Sequence, residues 1–219
     1  MKQAVYTYAA ATTTSIATSQ GGTSGVSLTL NTQVLSPSSL TNSGVVADNG
    51  KSQRSVALSS TADLSTVLFT IAGIDRWGTT QTFTITGPNN NTVYSTTGSL
   101  TIVNSIIPNA TFIAASGVTA GFGTSGTIDW FQPSTYVPAY NVGMAFVASG
   151  TIAYTLFETM DNLSTYTSTA RTFSSKTAAF VGASTSQYGN ETLPVGGYQV
   201  VITGTGIGSL DATFLQTWH

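Results

Sequence analysis

Between Leu68 and Asn90 the chain reads LFTIAGIDRWGTTQTFTITGPNN, in which apolar and polar positions alternate, break at a turn, and alternate again. Val67, Phe69 and Ile71 share one face of a first strand. Asp75-Arg76-Trp77-Gly78 supplies a turn, with Gly78 free to take positive φ. Phe83 and Ile85 then alternate with Thr82, Thr84 and Thr86, whose β-branched side chains favour extended backbone on a wet face. Gly87-Pro88-Asn89-Asn90 closes that strand, with Pro88 suited to the second position of a β-turn. The same pattern recurs along the chain. Val26, Leu28 and Leu30 alternate in GVSLTLNTQV, and Val56 and Leu58 alternate before the polar turn Ser59 to Asp63. SLTIVNSIIPN returns through Leu100 and Ile102 and stops at Pro108.

Beyond a Gly-rich stretch, Ser116 to Gly126, four more segments alternate. Their inward positions are Val142, Met144 and Phe146; Ile152, Tyr154 and Leu156; Tyr198, Val200 and Ile202; and Leu210, Ala212 and Phe214. Gly150 is expected to turn a hairpin between the first two, and Gly121-Phe122-Gly123 to be a flexible connector. The polar stretch Ser164 to Gly189 reads as a long outward loop. No segment carries a helical stripe. The expectation is an all-β chain: an extended N-terminal arm with one or two strands (1–50) and two β-sandwich or jelly-roll-like lobes (51–120 and 121–219). One-sided sheets must pack on each other to bury their apolar faces.

Composition narrows the class. The 219 residues are only 6% charged and 41% hydrophobic, with a formal net charge of −2, so Ser, Thr, Asn and Gln must cover most of the surface. Disordered chains combine low hydrophobicity with high charge, and this one does not. Cysteine is absent, which removes disulfides and thiolate chemistry. No run approaches the ~18 apolar residues of a membrane span, and Tyr6, Tyr8 and the threonines interrupt the apolar core a signal peptide needs. The six Lys and Arg are scattered, too few for a phosphate-neutralising patch, so no nucleic-acid partner is expected.

Candidate chemistry is sparse. The single histidine, His219, ends the sequence and reads better as a frayed end than as a catalytic base. Glu158 and Asp161 could form a carboxylate pair, but an acidic strand end leading into a turn accounts for them. Asp63 and Asp75 suit turns better than calcium ligation. Asn90, Asn109, Asn162 and Asn190 begin N-x-[ST] sequons, which arise readily in a Thr-rich chain. Neither catalytic residues, nor a metal site, nor a cofactor is expected. The aromatics outside the strand pattern are Trp77 at a hairpin tip and Trp130, Phe131, Tyr136 and Tyr140 in WFQPSTYVPAY. They either cover the open end of a lobe or form a subunit contact or glycan platform.

Four stretches, taken in order, resemble structural proteins of tailed-bacteriophage particles: SIATSQ with VSLTLN; RSVALSSTADLSTVLFTIAGIDRWGTTQTFTITGPNNNTVYST; YNVGMAFVASGTIAYTLFETMDN; and LPVGGYQVVITGTGIGSLDATFLQ. The last is similar to the closing hairpin of a second β-lobe in that group. The chain departs from the pattern between Leu35 and Lys51 and in the Ser164 to Gly189 loop. The resemblance implies a capsid cement or decoration protein on the outside of a phage head, with the major capsid protein and further copies of itself, as a homotrimer, for partners. A tail, neck or fibre component and a carbohydrate-binding adhesin module are the alternatives.

Overall fold

A computed structural model describes residues 2–8, 10–31, 53–75, 78–128, 131–134, 141–160, 174–175, 180–192, 195–203 and 208–217. Among them there is no α-helix, a 3-10 turn lies at Ala114–Ser116, and no helix is long and apolar enough to cross a membrane. The chain is all-β, and its described strands form three antiparallel sheets.

A four-stranded sheet contains β1 (Lys2–Tyr8), β9 (Asn141–Gly150), β12 (Gln187–Glu191) and β14 (Gly208–Thr217), in the order β1-β14-β9-β12. A seven-stranded sheet contains β2 (Ala17–Gln20), β3 (Gln53–Ser60), β6 (Val93–Ser95), β8 (Val118–Thr127), β10 (Tyr154–Thr159), β11 (Ser174–Ser175) and β13 (Gly197–Ile202). Its order is β11-β10-β13-β8-β3-β6, with β2 also paired to β8. The third sheet, β5-β4-β7, is built from β4 (Leu68–Ile74), β5 (Thr80–Thr86) and β7 (Ile102–Pro108).

Two apolar clusters result. In one, Val142, Met144 and Phe146 of β9 and Leu210, Ala212 and Phe214 of β14 pack with Tyr154 and Leu156 of β10 and Tyr198, Val200 and Ile202 of β13. In the other, Val56 and Leu58 of β3 and Val118, Ala120 and Phe122 of β8 pack with Phe69 and Ile71 of β4 and Val103 and Ile106 of β7. Each cluster draws on two sheets, as in a β-sandwich. The seven-stranded sheet contributes to both.

The turn at Asp75 joins β4 to β5 as a true hairpin, with Leu68 opposite Thr86 and Ile74 opposite Thr80. Gly78 takes φ +82°, and Asp75 Oδ1 accepts the Thr79 N–H at 2.9 Å. On β5 the threonines are exposed while Phe83 and Ile85 are half-buried against the core, as alternation requires.

Several expectations are corrected. Gly150 does not turn a hairpin: it takes φ +73° at the end of β9, and β10 then enters a different sheet. β13 and β14 likewise lie in separate sheets, so the last stretch is not a closing hairpin. In both cases the chain crosses between layers, which alternation cannot reveal because it fixes a face and not a partner. The Gly-rich stretch is no connector, since Val118–Thr127 is β8, paired to β3 from Ser60↔Val118 to Gln53↔Thr127. Its glycines permit close approach of neighbouring backbone: a Cβ on Gly121 would run into the backbone of Thr12. GVSLTLNTQV does not form a regular strand over its described residues, for Val26 is exposed while Leu28 alone of the three is fully buried. Within the long polar stretch, Ser174–Ser175 pairs with β10 and Gln187–Glu191 with β9, and Phe180 is buried, so those parts fold back onto the body. At β7 a register shift beside Gly73 leaves Ile102 half-buried and turns Val103 inward.

Candidate interface surfaces and the buried arginine

Phe131 is buried in the core. Its ring stacks on Phe214 at 5.1 Å between centroids with 7° between planes, and on Tyr198 at 6.5 Å and 21°. Its backbone exchanges two hydrogen bonds with Tyr198, each 2.9 Å. The ring is taken up by packing, with 1% exposure. Trp77, Trp130, Tyr136 and Tyr140 lie outside the described residues, as do Asp161 and His219.

Glu158 is half-buried on β10, and the described residues hold no cluster of three or more His, Cys, Asp or Glu. Asp75 is a turn former: besides the Thr79 N–H it accepts Gln81 Nε2 at 3.0 Å. Asp63 accepts the Ser65 N–H at 2.9 Å, and hydrogen bonds from the Ser65 side chain and backbone hold its carboxyl below the usual range. Asn109 Oδ1 accepts the Leu68 N–H at 2.9 Å, tying a loop to the start of β4. Asp63 and Asp75 each hold the N–H of a nearby residue, as turn-forming carboxylates do.

The four-stranded sheet leaves outside a face whose rows around Tyr188 carry a single charge. Directly opposed residues of an antiparallel pair share a face. Tyr188 therefore lies in a row with Ala145 and Thr213, and Asn190 with Gly143 and Leu215. Val147 lies opposite Asp211, the one charge in these rows. Tyr188 is 73% exposed and Val147 48%, beside neighbours too small to cover them. Such a face loses little hydration when another surface covers it, because nearly all of it is apolar or neutral.

A second feature was not anticipated. Arg54 on β3 is fully buried, an unusual position for a guanidinium. It lies 4.1 Å from the centre of the Tyr8 ring and 5.1 Å from that of Phe122, and Nη2 donates to the Gly123 carbonyl at 2.9 Å. Tyr8 belongs to one apolar cluster and Phe122 to the other, so the arginine sits where the two cores meet. Burial lowers its pKa, opposed by the electrostatic and hydrogen-bond effect of Tyr8. Burial raises the Tyr8 pKa, opposed by Arg54. The Tyr8 hydroxyl donates to the Thr124 carbonyl at 3.3 Å. A sequence signal existed: Arg54 has the parity of Val56 and Leu58, which places it on the apolar side of the strand.

The N-terminal arm ties the same region together. β1 pairs with β14 over seven positions, from Lys2↔Gln216 to Tyr8↔Leu210. Next, the Thr12 N–H donates to the Phe122 carbonyl at 3.1 Å, and β2 then pairs with β8. Beside this crossing lies an open cavity of about 370 Å³, bordered by Ala11, Thr12, Ala57, Val93, Ser95 and Phe122 among others.

Comparison with protein-family models, curated proteins and solved structures finds no match to this chain.

Proposed function

We propose that this chain is a structural virion protein of the capsid cement or decoration type. It binds the outer surface of a phage head and stabilises it through contacts with the major capsid protein and with further copies of itself in a homotrimer. The observation that carries the reading is the outer face of the four-stranded sheet around Tyr188, Ala145, Thr213 and Val147, on which Asp211 is the one charge. Exposed Tyr and Val on a flat background of small residues make contact area whose burial is favourable without charge pairing. The resemblance in turn chemistry to phage structural proteins points the same way. A shell protein works by area spread over several neighbours, each stable interface burying about 1,000 Å² or more.

The test is the composition of purified particles. Mass spectrometry should find the chain in hundreds of copies, counted against the major shell protein. A few copies or a few dozen would favour a tail, neck or fibre component, and absence from mature particles would defeat both readings.

A further inference from the structure

We propose that β5 is a strand-pairing edge: Thr80–Thr86 of one copy of this chain pairs antiparallel with Thr80–Thr86 of a second copy about a two-fold axis at Phe83. β5 is the outer strand of the sheet β5-β4-β7, and no described residue pairs with its far side. The opposite edge of that sheet is covered. There the Leu28 N–H donates to the Ile106 carbonyl at 2.9 Å, the Gly25 N–H to the Pro108 carbonyl at 2.9 Å, and the Ser27 hydroxyl accepts the Ile106 N–H at 3.2 Å. Exposed edges are ordinarily blunted by a charge, a proline, a bulge or short length. TQTFTIT has neither charge nor proline, and its seven residues run against β4 without a register shift.

The register points to a second copy as the occupant. The Gly87 N–H donates to the Val67 carbonyl at 2.7 Å and the Asp75 N–H to the Thr79 carbonyl at 3.0 Å, just beyond either end of the β4–β5 ladder. Antiparallel strands alternate, so Gln81, Phe83 and Ile85 turn their backbone groups to β4, and Thr80, Thr82, Thr84 and Thr86 turn theirs outward. A two-fold axis at Phe83 sets Thr82 opposite Thr84 of the second copy and Thr80 opposite its Thr86, so every outward N–H and C=O meets a partner. On the exposed face this aligns threonine with threonine, a favourable cross-strand pair. On the other face the two half-buried Phe83 rings meet at the axis, where facing side chains come closest, and Gln81 lies opposite Ile85. No charge is repeated across the axis. A strand of any other sequence can take the backbone bonds, but the near-palindrome about Phe83 makes this patch complementary to itself, which an isologous contact requires. The contact needs no phage head and is separate from the Tyr188 face, which lies on another sheet.

Two double variants at exposed positions test the pairing without touching either core. Thr82→Lys with Thr84→Lys sets lysine against lysine in the paired form, Thr82→Glu with Thr84→Glu sets glutamate against glutamate, and a mixture of the two chains sets lysine against glutamate. Each full-length chain, its circular dichroism matched to wild type, is followed by sedimentation up to about millimolar chain at low salt. The wild type is expected to form a larger species as concentration rises, each charged variant alone to lack it, and the mixture to regain it. Should the charged variants fold poorly, Thr84→Pro removes an outward N–H that β4 does not use and is expected to abolish the larger species. A wild type that sediments like its variants throughout overturns the proposal, as does a mixture no larger than its parts or a larger species that persists in Thr84→Pro. A homotrimer built through other surfaces persists in every variant, and its absence leaves the expected differences unchanged.

Discussion

Replacing Arg54 separates the contribution of its charge from that of its stem. In the folded chain the guanidinium makes a 2.9 Å hydrogen bond to the Gly123 carbonyl and lies against two rings, at 4.1 Å and 5.1 Å. A hydrogen bond from a charged group contributes about 1.5–3 kcal/mol, and a desolvated ring contact up to about 2 kcal/mol. Removing such a charge from water costs several kcal/mol, which offsets most of that gain. Arg54→Met keeps an apolar stem between Tyr8 and Phe122 and removes the cost of the charge, so it should change stability by less than about 2 kcal/mol. Arg54→Ala also deletes the stem where two cores meet and should lose roughly 3–5 kcal/mol, in the range of large-to-small core substitutions. For a chain of this size that corresponds to a fall of roughly 6–20 °C in Tm. Because Arg54 touches one residue from each core, the wild type is expected to unfold in one step and Arg54→Ala to broaden or split that transition. Urea titration followed by circular dichroism and calorimetry reads both effects. If Arg54→Met proved as damaging as Arg54→Ala, a polar network would hold the junction and the packing argument would be wrong.

Phe131→Ala should destabilise by about 3–5 kcal/mol, because it empties a ring stack; a loss below about 1 kcal/mol in chemical denaturation would place the ring at the surface. In alkali, burial pushes the Tyr154 hydroxyl up to about 12 and raises that of Tyr8. The stability from keeping these phenols neutral is complete below the ordinary tyrosine pKa near 10 and is lost as pH rises through about 12. Tyrosinate absorbance and circular dichroism followed together should therefore show the last tyrosines ionising as the fold is lost; their free ionisation near pH 10 in a folded chain would contradict this. Tyr188→Ser should leave stability within about 0.5 kcal/mol of wild type, since the ring is mostly exposed, while weakening attachment to heads in a pelleting assay. Undiminished attachment would remove this face from the interface.

Much of the fold was legible because β structure writes its faces into the sequence. All twelve inward positions read from the four alternating segments after residue 140, Val142 through Phe214, lie in one core. Legibility stopped at partners. Period-two alternation gives the buried face of a strand but not its sheet, which is why the crossings after Gly150 and between β13 and β14 looked like hairpins. The glycines of β8 looked like a linker because a linker and a strand crowded by neighbouring backbone call for the same residue. The approach of the Thr12 and Gln53 backbone to Gly121 and Gly126, and of the Ser55 side chain to Gly123, tells them apart. Phe131 fell outside the alternation because it makes a lone bridge to Tyr198 rather than joining a ladder. Arg54 carried the parity of the core, but a lone arginine opening a strand reads as solvent-facing, and its ring partners come from residues 8 and 122.

Retention of the chain on purified heads across a salt series is the most direct measure of attachment through uncharged β surfaces. Screening weakens exposed charge pairs and leaves apolar contact intact, so the bound fraction should stay nearly constant from low to molar salt. Release at moderate ionic strength would show that charges hold the protein in place, and the account given for the Tyr188 face would be wrong.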